Sequence, residues 1–150
     1  VTVTVRPARA GEAAVLAALA VRSKGHWGYS AAFLARFAHG QALTEDVLAA
    51  NDVRVADRDG APVGFCTLLH RGATVVLDDL WVDPAEIGRG TGRLLFEHAR
   101  DRAAATGARV LEWGSDPHAV GFYERMGAVA VGWADALDGR QPVMRLALDG

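Results

Sequence analysis

Val82-Asp83-Pro84-Ala85-Glu86-Ile87-Gly88-Arg89-Gly90-Thr91-Gly92-Arg93-Leu94-Leu95 is the stretch on which the reading of this chain turns. An apolar strand ends at Val82, Asp83-Pro84 closes it, and glycine recurs at positions 88, 90 and 92 before a helical pattern begins. Glycine adopts positive φ readily and lets a ligand approach the backbone. The first amides of the following helix have no intrahelical partner, and the helix dipole adds about half a positive charge there. Together these features predict a phosphate or pyrophosphate site, with Arg89 and Arg93 placed to add charge-assisted bonds. The dinucleotide fingerprint GxGxxG would need glycine where Arg93 stands, so it fails.

Outward from this loop the chain divides into short elements. Val1 to Arg6 alternates Val with Thr, which predicts a strand ended by Pro7. Glu12 to about Val21 is rich in Ala and Leu and predicts a helix, broken by Lys24-Gly25-His26-Trp27-Gly28-Tyr29. Ser30 caps a second helix, Ala31 to Ala38, stopped by Gly40; Thr44 with Glu45 and Asp46 starts a third that ends near Asn51. Val53 to Asp57, Val63 to Leu69 and Ala73 to Val82 predict a three-strand meander, turned at Asp57-Arg58-Asp59-Gly60 and at His70-Arg71-Gly72. Beyond the loop, Gly92 to Thr106 carries Leu94, Leu95, His98, Ala99, Arg102 and Ala103 at helical spacing, with Gly107 as a stop. Arg109 to Trp113 predicts a strand. Asp116 caps a helix with Pro117 in its first turn, running through Met126. Ala128 to Trp133 and Val143 to Leu148 predict a closing hairpin around an Asp138-Gly139 loop. The order β-α-α-α-β-β-β-α-β-α-β-β describes an α/β (α+β) domain, a mixed sheet with helices packed on its faces.

Composition narrows the function classes. A chain of 150 residues, 51% hydrophobic and 23% charged, is one ordinary globular domain over 1–150. A net charge of −2 lacks the positive field that nucleic-acid binding needs. Cys66 is the sole cysteine, which excludes an intrachain disulfide and a zinc site built on paired cysteines; no metal is expected, and a reducing cytoplasm fits. The longest apolar run, Ala13 to Val21, has nine residues against the roughly 20 that span a bilayer. Arg6-Pro7 interrupts the first apolar stretch, so no signal peptide is expected. Lys24 is the only lysine, which removes any GxxxxGK[ST] nucleotide loop.

A second segment adds specificity: Asp116-Pro117-His118-Ala119-Val120-Gly121-Phe122-Tyr123-Glu124-Arg125-Met126-Gly127-Ala128. With it, the chain resembles the GNAT superfamily of acetyl-coenzyme A dependent N-acyltransferases. The glycine loop at Gly88 to Gly92 matches, as does Ala-x-x-Phe-Tyr-Glu-x-x-Gly at Ala119 to Gly127, and the element order fits nearly the whole chain. Two positions depart from the family pattern. Ile87 stands where Gln or Arg usually opens the loop, and Asp116 where Asn is frequent. An ionised Asp accepts a hydrogen bond but cannot donate one.

The resemblance implies a mostly antiparallel sheet that splays open between the strand ending at Val82 and the strand ending near Trp113. It implies acetyl-CoA as acyl donor. Leu80, Trp81 and Val82 would hold the pantetheine arm as an added strand. Ile87, Gly88, Arg89, Gly90, Thr91, Gly92 and Arg93 would hold the diphosphate. Asp116, His118, Phe122, Tyr123 and Arg125 would complete the coenzyme contacts, and a strand amide would stabilise the oxyanion.

An acceptor ammonium, with a pKa near 10.4, must lose a proton before attack, and the leaving thiolate must gain one. Tyr123 matches the family's general acid. Proton transfer from a phenol near 10 to a thiolate near 8.5 is uphill by about 2 kcal/mol, so Tyr123 acts first as a hydrogen-bond donor to sulfur. Asp78 and Asp79 face opposite sides of one strand, so one of them, Asp79 first, is a candidate base; Glu112 and His26 are the others, and a carboxylate such as Asp78 can also bind a cationic acceptor. His26, Trp27 and Tyr29 lie in the segment that forms part of the acceptor pocket in the superfamily. The expected function is acetyl transfer to a small-molecule or amino acid-like amine. The alternatives are a protein amine, an oxygen acceptor, or a non-catalytic acyl-CoA binding domain. The oligomeric state is open: Trp133 serves a homodimer interface or packs in the core.

Overall fold

The computed structural model describes residues 2–41, 43–137 and 139–149. The strands are β1 (Val3–Pro7), β2 (Asp52–Arg58), β3 (Ala61–Arg71), β4 (Thr74–Val82), β5 (Val110–Gly114), β6 (Val129–Ala136) and β7 (Gly139–Ala147). The helices are α1 (Ala13–Gly25), α2 (Ala31–Gln41), α3 (Glu45–Ala50), α4 (Thr91–Ala105) and α5 (Val120–Arg125). The seven strands form a mostly antiparallel sheet in the order β1-β2-β3-β4-β5-β7-β6. β4 and β5 pair in parallel through Thr74–Val110, Val75–Leu111 and Val76–Glu112. The element order is the one expected from the sequence.

The chain forms two compact units. One comprises the chain up to Thr67 together with Asp79–His98. Its core is built on one face of α1, where Ala13, Leu16, Leu19 and Ala20 recur at helical spacing and pack with Leu43, Leu48, Val53, Val55 and Phe65. Arg6 ties this unit together at its polar edge. Its guanidinium donates to Asp57 Oδ2 at 2.8 Å and to both oxygens of Glu12 at 2.9 and 2.7 Å. The bond from Arg6 holds both carboxyls below their ordinary range. Glu45 of α3 accepts from the Gly11 and Ala13 amides at 2.7 and 2.9 Å, satisfying the start of α1 from a distant element. The second unit comprises Leu68–Asp78 and the chain from Ala99 onward. Leu111, Trp113 and Met144 are buried there.

Several boundaries move from their expected places. α1 continues a turn past Val21, because Arg22 and Lys24 suit the negative end of the helix dipole. α2 passes through Gly40, where glycine costs about 1 kcal/mol but does not forbid helix. β3 extends through His70 and Arg71, so the turn is made at Gly72, with φ 70°. Asp116 caps a single 3-10 turn, Pro117–Ala119, and α5 follows it. The closing hairpin is longer than expected at both strands; Val1 and Asp138 lie outside the described residues.

Candidate active site

The glycine loop is anchored from below by one carboxylate. Asp83 Oδ1 accepts from the Ala85 amide at 3.1 Å and starts a 3-10 turn, Pro84–Glu86. This turn delivers Glu86 into a buried position, 4% exposed. There Arg58 donates to its two oxygens at 2.8 and 3.1 Å, and the Thr91 hydroxyl donates at 2.7 Å. The Arg58 fork, helped by Thr91, lowers the Glu86 carboxyl to about 2. The buried charge is therefore neutralised within the fold. Arg89 makes only a 3.5 Å contact to Glu86 and stays 58% exposed. Arg93, paired with Glu97 at 3.5 Å on the α4 surface, is 69% exposed.

Above this anchor the backbone opens outward. Gly88 and Gly90 have φ of 82° and 85°, a region that L side chains avoid. Beyond the adjacent residues, no heavy atom lies within 4 Å of where a Cβ would stand on either, so the space in front of them is clear. Leu94 is the first α4 residue whose amide bonds back, to Gly90 O at 3.0 Å. Helix geometry thus leaves the amides of Thr91, Gly92 and Arg93 without an intrahelical acceptor. Clear space, positive-φ glycines, a helix start and exposed arginines fit a diphosphate. Ile87 is half exposed and supplies no polar side chain.

Strand β4 leads into the loop. Gly64 on β3 lets it sit close, because a Cβ there would lie 3.0 Å from the Trp81 carbonyl oxygen and 2.9 Å from Leu95 Cδ1. Leu80 and Val82 are half-buried. Asp78 is exposed, whereas Asp79 is half-buried and its Oδ1 accepts from the Trp81 indole N–H at 3.1 Å. Trp81 packs edge-on to Phe37 of α2, with centroids 5.3 Å apart. In the segment after α1, Trp27 is 41% exposed and meets His26 at 4.9 Å. Tyr29 stacks on Phe33 at 4.5 Å. The Lys24 ammonium lies over the Tyr29, Phe33, Phe37 and Trp81 rings.

The second unit holds the other motif. Tyr123 is buried on α5, 4.8 Å from the Trp113 ring and 5.1 Å from Phe122. Asp116 Oδ1 accepts from the His118 amide at 2.9 Å and lies 2.7 Å from His118 Nδ1. Arg125 reaches back along α5 to within 3.5 Å of the Cβ position of Gly121. Glu112 faces Arg145 across the β5–β7 pair, and its Oε2 accepts two bonds at 3.0 and 2.6 Å. Cys66 is buried, and burial pushes its thiol up to about 12, which keeps it protonated.

Sequence reasoning did not single out Glu86, Arg58, Gly64, Phe33 or Phe37 as contributors. Glu86 lay inside the quoted loop and carried a signal, an acidic residue five before the first helical Thr. Arg58 is distant in sequence, and only the fold brings it to Glu86.

The fold thus sets a positive-φ glycine loop between a sheet strand and a helix, and a buried tyrosine on a short later helix. The sequence model of the Acetyltransferase (GNAT) family matches residues 18–128, and the chain belongs to that family. It is 36% identical over 96 residues to the peptidyl-lysine N-acetyltransferase YjaB of Salmonella typhimurium. That match covers 64% of this chain and 61% of the relative, so less than two thirds of the relative's length is spanned. Among solved structures, a GCN5-related N-acetyltransferase from Rhodopseudomonas palustris superposes with a TM-score of 0.81 at 28% identity, covering 99% of this chain and 97% of that one. The PaiA N-acetyltransferase of Thermoplasma acidophilum, solved with coenzyme A, shares the fold at a TM-score of 0.83 and 15% identity, over 98% and 99% of the two chains.

Proposed function

We propose that residues 1–150 act as one N-acetyltransferase domain that moves an acetyl group from acetyl-CoA to a primary amine by direct transfer in a ternary complex. The observation that carries this reading is the clear, positive-φ loop at Gly88 and Gly90 opening onto the free first-turn amides of α4. These amides bind the diphosphate, and the exposed Arg89 and Arg93 add charge. The backbone of Leu80, Trp81 and Val82 pairs with the pantetheine arm and presents an amide to the developing oxyanion. Tyr123 donates to the departing sulfur.

Asp79 is the better placed of the two carboxylate candidates for taking the acceptor's proton. Glu112 Oε2 is already engaged by both Arg145 bonds. Asp79 stands two residues from Trp81 on β4, so both project to one face, beside the aromatic rings of the α2 segment. His26, Trp27 and Tyr29 line the acceptor side, and Asp78 attracts its charge. Phe122, Asp116, His118 and Arg125 support the coenzyme from α5 and the turn before it.

The activity named for the Salmonella relative supports a peptidyl lysine as the acceptor. A small-molecule amine is the other reading, and both present the same alkylammonium to the rings. The lone buried thiol suits a reducing cytoplasm. Among the described residues, no helix is long and apolar enough to cross a membrane. The test is a calorimetric titration with coenzyme A, followed by thiol release from acetyl-CoA over lysine peptides, amino acids and polyamines. Heat together with release supports the enzyme. Heat with no release from any acceptor identifies a pure acyl-CoA binder, and absence of heat removes the coenzyme reading itself.

A further inference from the structure

We propose that Lys24 is a self-acetylation site of this domain. The inference rests on the acetyl-CoA reading above and goes beyond it by naming an acceptor within the chain. Lys24 carries the only side-chain primary amine in the sequence. Its Nζ lies 4.7 Å from the Tyr29 ring centroid, 5.6 Å from Phe33, 5.8 Å from Phe37 and 6.0 Å from Trp81. Four rings thus hold one ammonium, and they are themselves ordered by the Tyr29–Phe33 stack and the Phe37–Trp81 edge contact. Ring faces attract an alkylammonium through their quadrupoles, whichever chain supplies it.

The position of this box is what turns a packing feature into a reactive one. Trp81 belongs to β4, the strand whose backbone is proposed to hold the pantetheine arm, and its indole N–H donates to Asp79, the proposed base. A primary amine is therefore stationed beside both the donor strand and the group that takes its proton. In the reaction, Nζ loses a proton to Asp79 and on to solvent, then attacks the thioester carbonyl. A C–N amide bond forms, the C–S bond breaks, and the coenzyme sulfur leaves with a proton as free thiol. No oxidant or reductant is needed. The product is neutral, so the box loses its cation and the attraction that held the side chain over the rings.

The experiment incubates the folded chain with isotope-labelled acetyl-CoA and no acceptor, then maps acetyl groups by intact mass and by peptide, scoring the α-amino group separately. One acetyl is expected on Lys24, at a rate independent of protein concentration and suppressed by excess coenzyme A. The rate should exceed chemical acetylation of the urea-unfolded chain at the same pH by at least about tenfold, since the amine is pre-positioned. Lys24→Arg keeps a cation over the rings and should lose the mark. A rate no faster than in the unfolded chain, a rate proportional to protein concentration, or one indifferent to coenzyme A would each overturn the proposal. Calorimetric binding of coenzyme A without any mark on Lys24 would sink this inference alone. No binding would sink it together with the coenzyme reading.

Discussion

Tyr123 illustrates how much a single hydroxyl can be asked to do. Its ring fills space against Trp113 and Phe122, and phenylalanine fills that space equally well. Tyr123→Phe should therefore leave coenzyme A affinity within about twofold while lowering kcat roughly a hundredfold, the usual scale for a general acid. Calorimetry and steady-state rates read the two effects separately, and an unchanged kcat would reduce Tyr123 to packing. Cys66 makes the opposite case. Burial raises its thiol to about 12, so almost no thiolate exists at neutral pH. Iodoacetamide should label it in the native protein only as fast as the fold opens, and promptly in urea. Rapid native labelling would contradict the buried assignment. The sequence reads Cys66 as a buried strand residue, and it is one; the packing of Tyr123 against Trp113 was not legible there.

At the level of elements, the glycine loop depends on a neighbour it does not touch in sequence. Glu86 has a folded value of about 2 against an ordinary value near 4.5. On acidification the unfolded chain takes up this proton first, so the Glu86 contribution is full above about pH 4.5 and is lost as pH falls toward 2. Glu12 and Asp57, held low by Arg6, titrate in the same direction, so the comparison must be between variants. The melting temperature of Glu86→Gln should start lower at neutral pH and fall less steeply below pH 4.5 than that of the parent. Parallel curves would show that Glu86 does not carry this coupling. Glycine substitutions should split in sign. Gly90→Ala forces a left-handed backbone, costing about 1–2 kcal/mol and weakening coenzyme A binding. Gly40→Ala, on the α2 helix with open space around it, should stabilise by up to about 1 kcal/mol. Thermal melts and calorimetry check both. The loop's glycines were legible because φ preference is local; the Arg58–Glu86 anchor was not, because it spans 28 residues.

For the molecule as a whole, the edge strand β6 carries an exposed apolar row. β6 stands at the end of the strand order, and Val129, Val131 and Trp133 along it, with Leu137 just beyond, are 59%, 47%, 61% and 49% exposed. A bulge between Ala130 and Gly132 places the row, and Arg140 sits 5.5 Å over the Trp133 ring. An apolar edge strand tends to recruit another strand. A homodimer is expected to form there, seen in sedimentation as a concentration-dependent mass that Trp133→Glu returns to the monomer. A parent chain that stays monomeric at high concentration would leave the row as ordinary surface, capped by Arg140.

Local chemistry alone settled the order of elements and the glycine loop between strand and helix, since alternation, helical spacing and glycine preference all act over a few neighbouring residues, and two short motifs carried the resemblance to the family. Folding decided the rest. It set Arg58 beneath the loop, bound Glu112 to Arg145, gathered Lys24 of α1 with rings from the segment after it, from α2 and from β4, and capped α1 with a carboxylate from α3. Charge pairing and burial depend on distance in space, and residues far apart along the chain acquire that distance only when the sheet assembles.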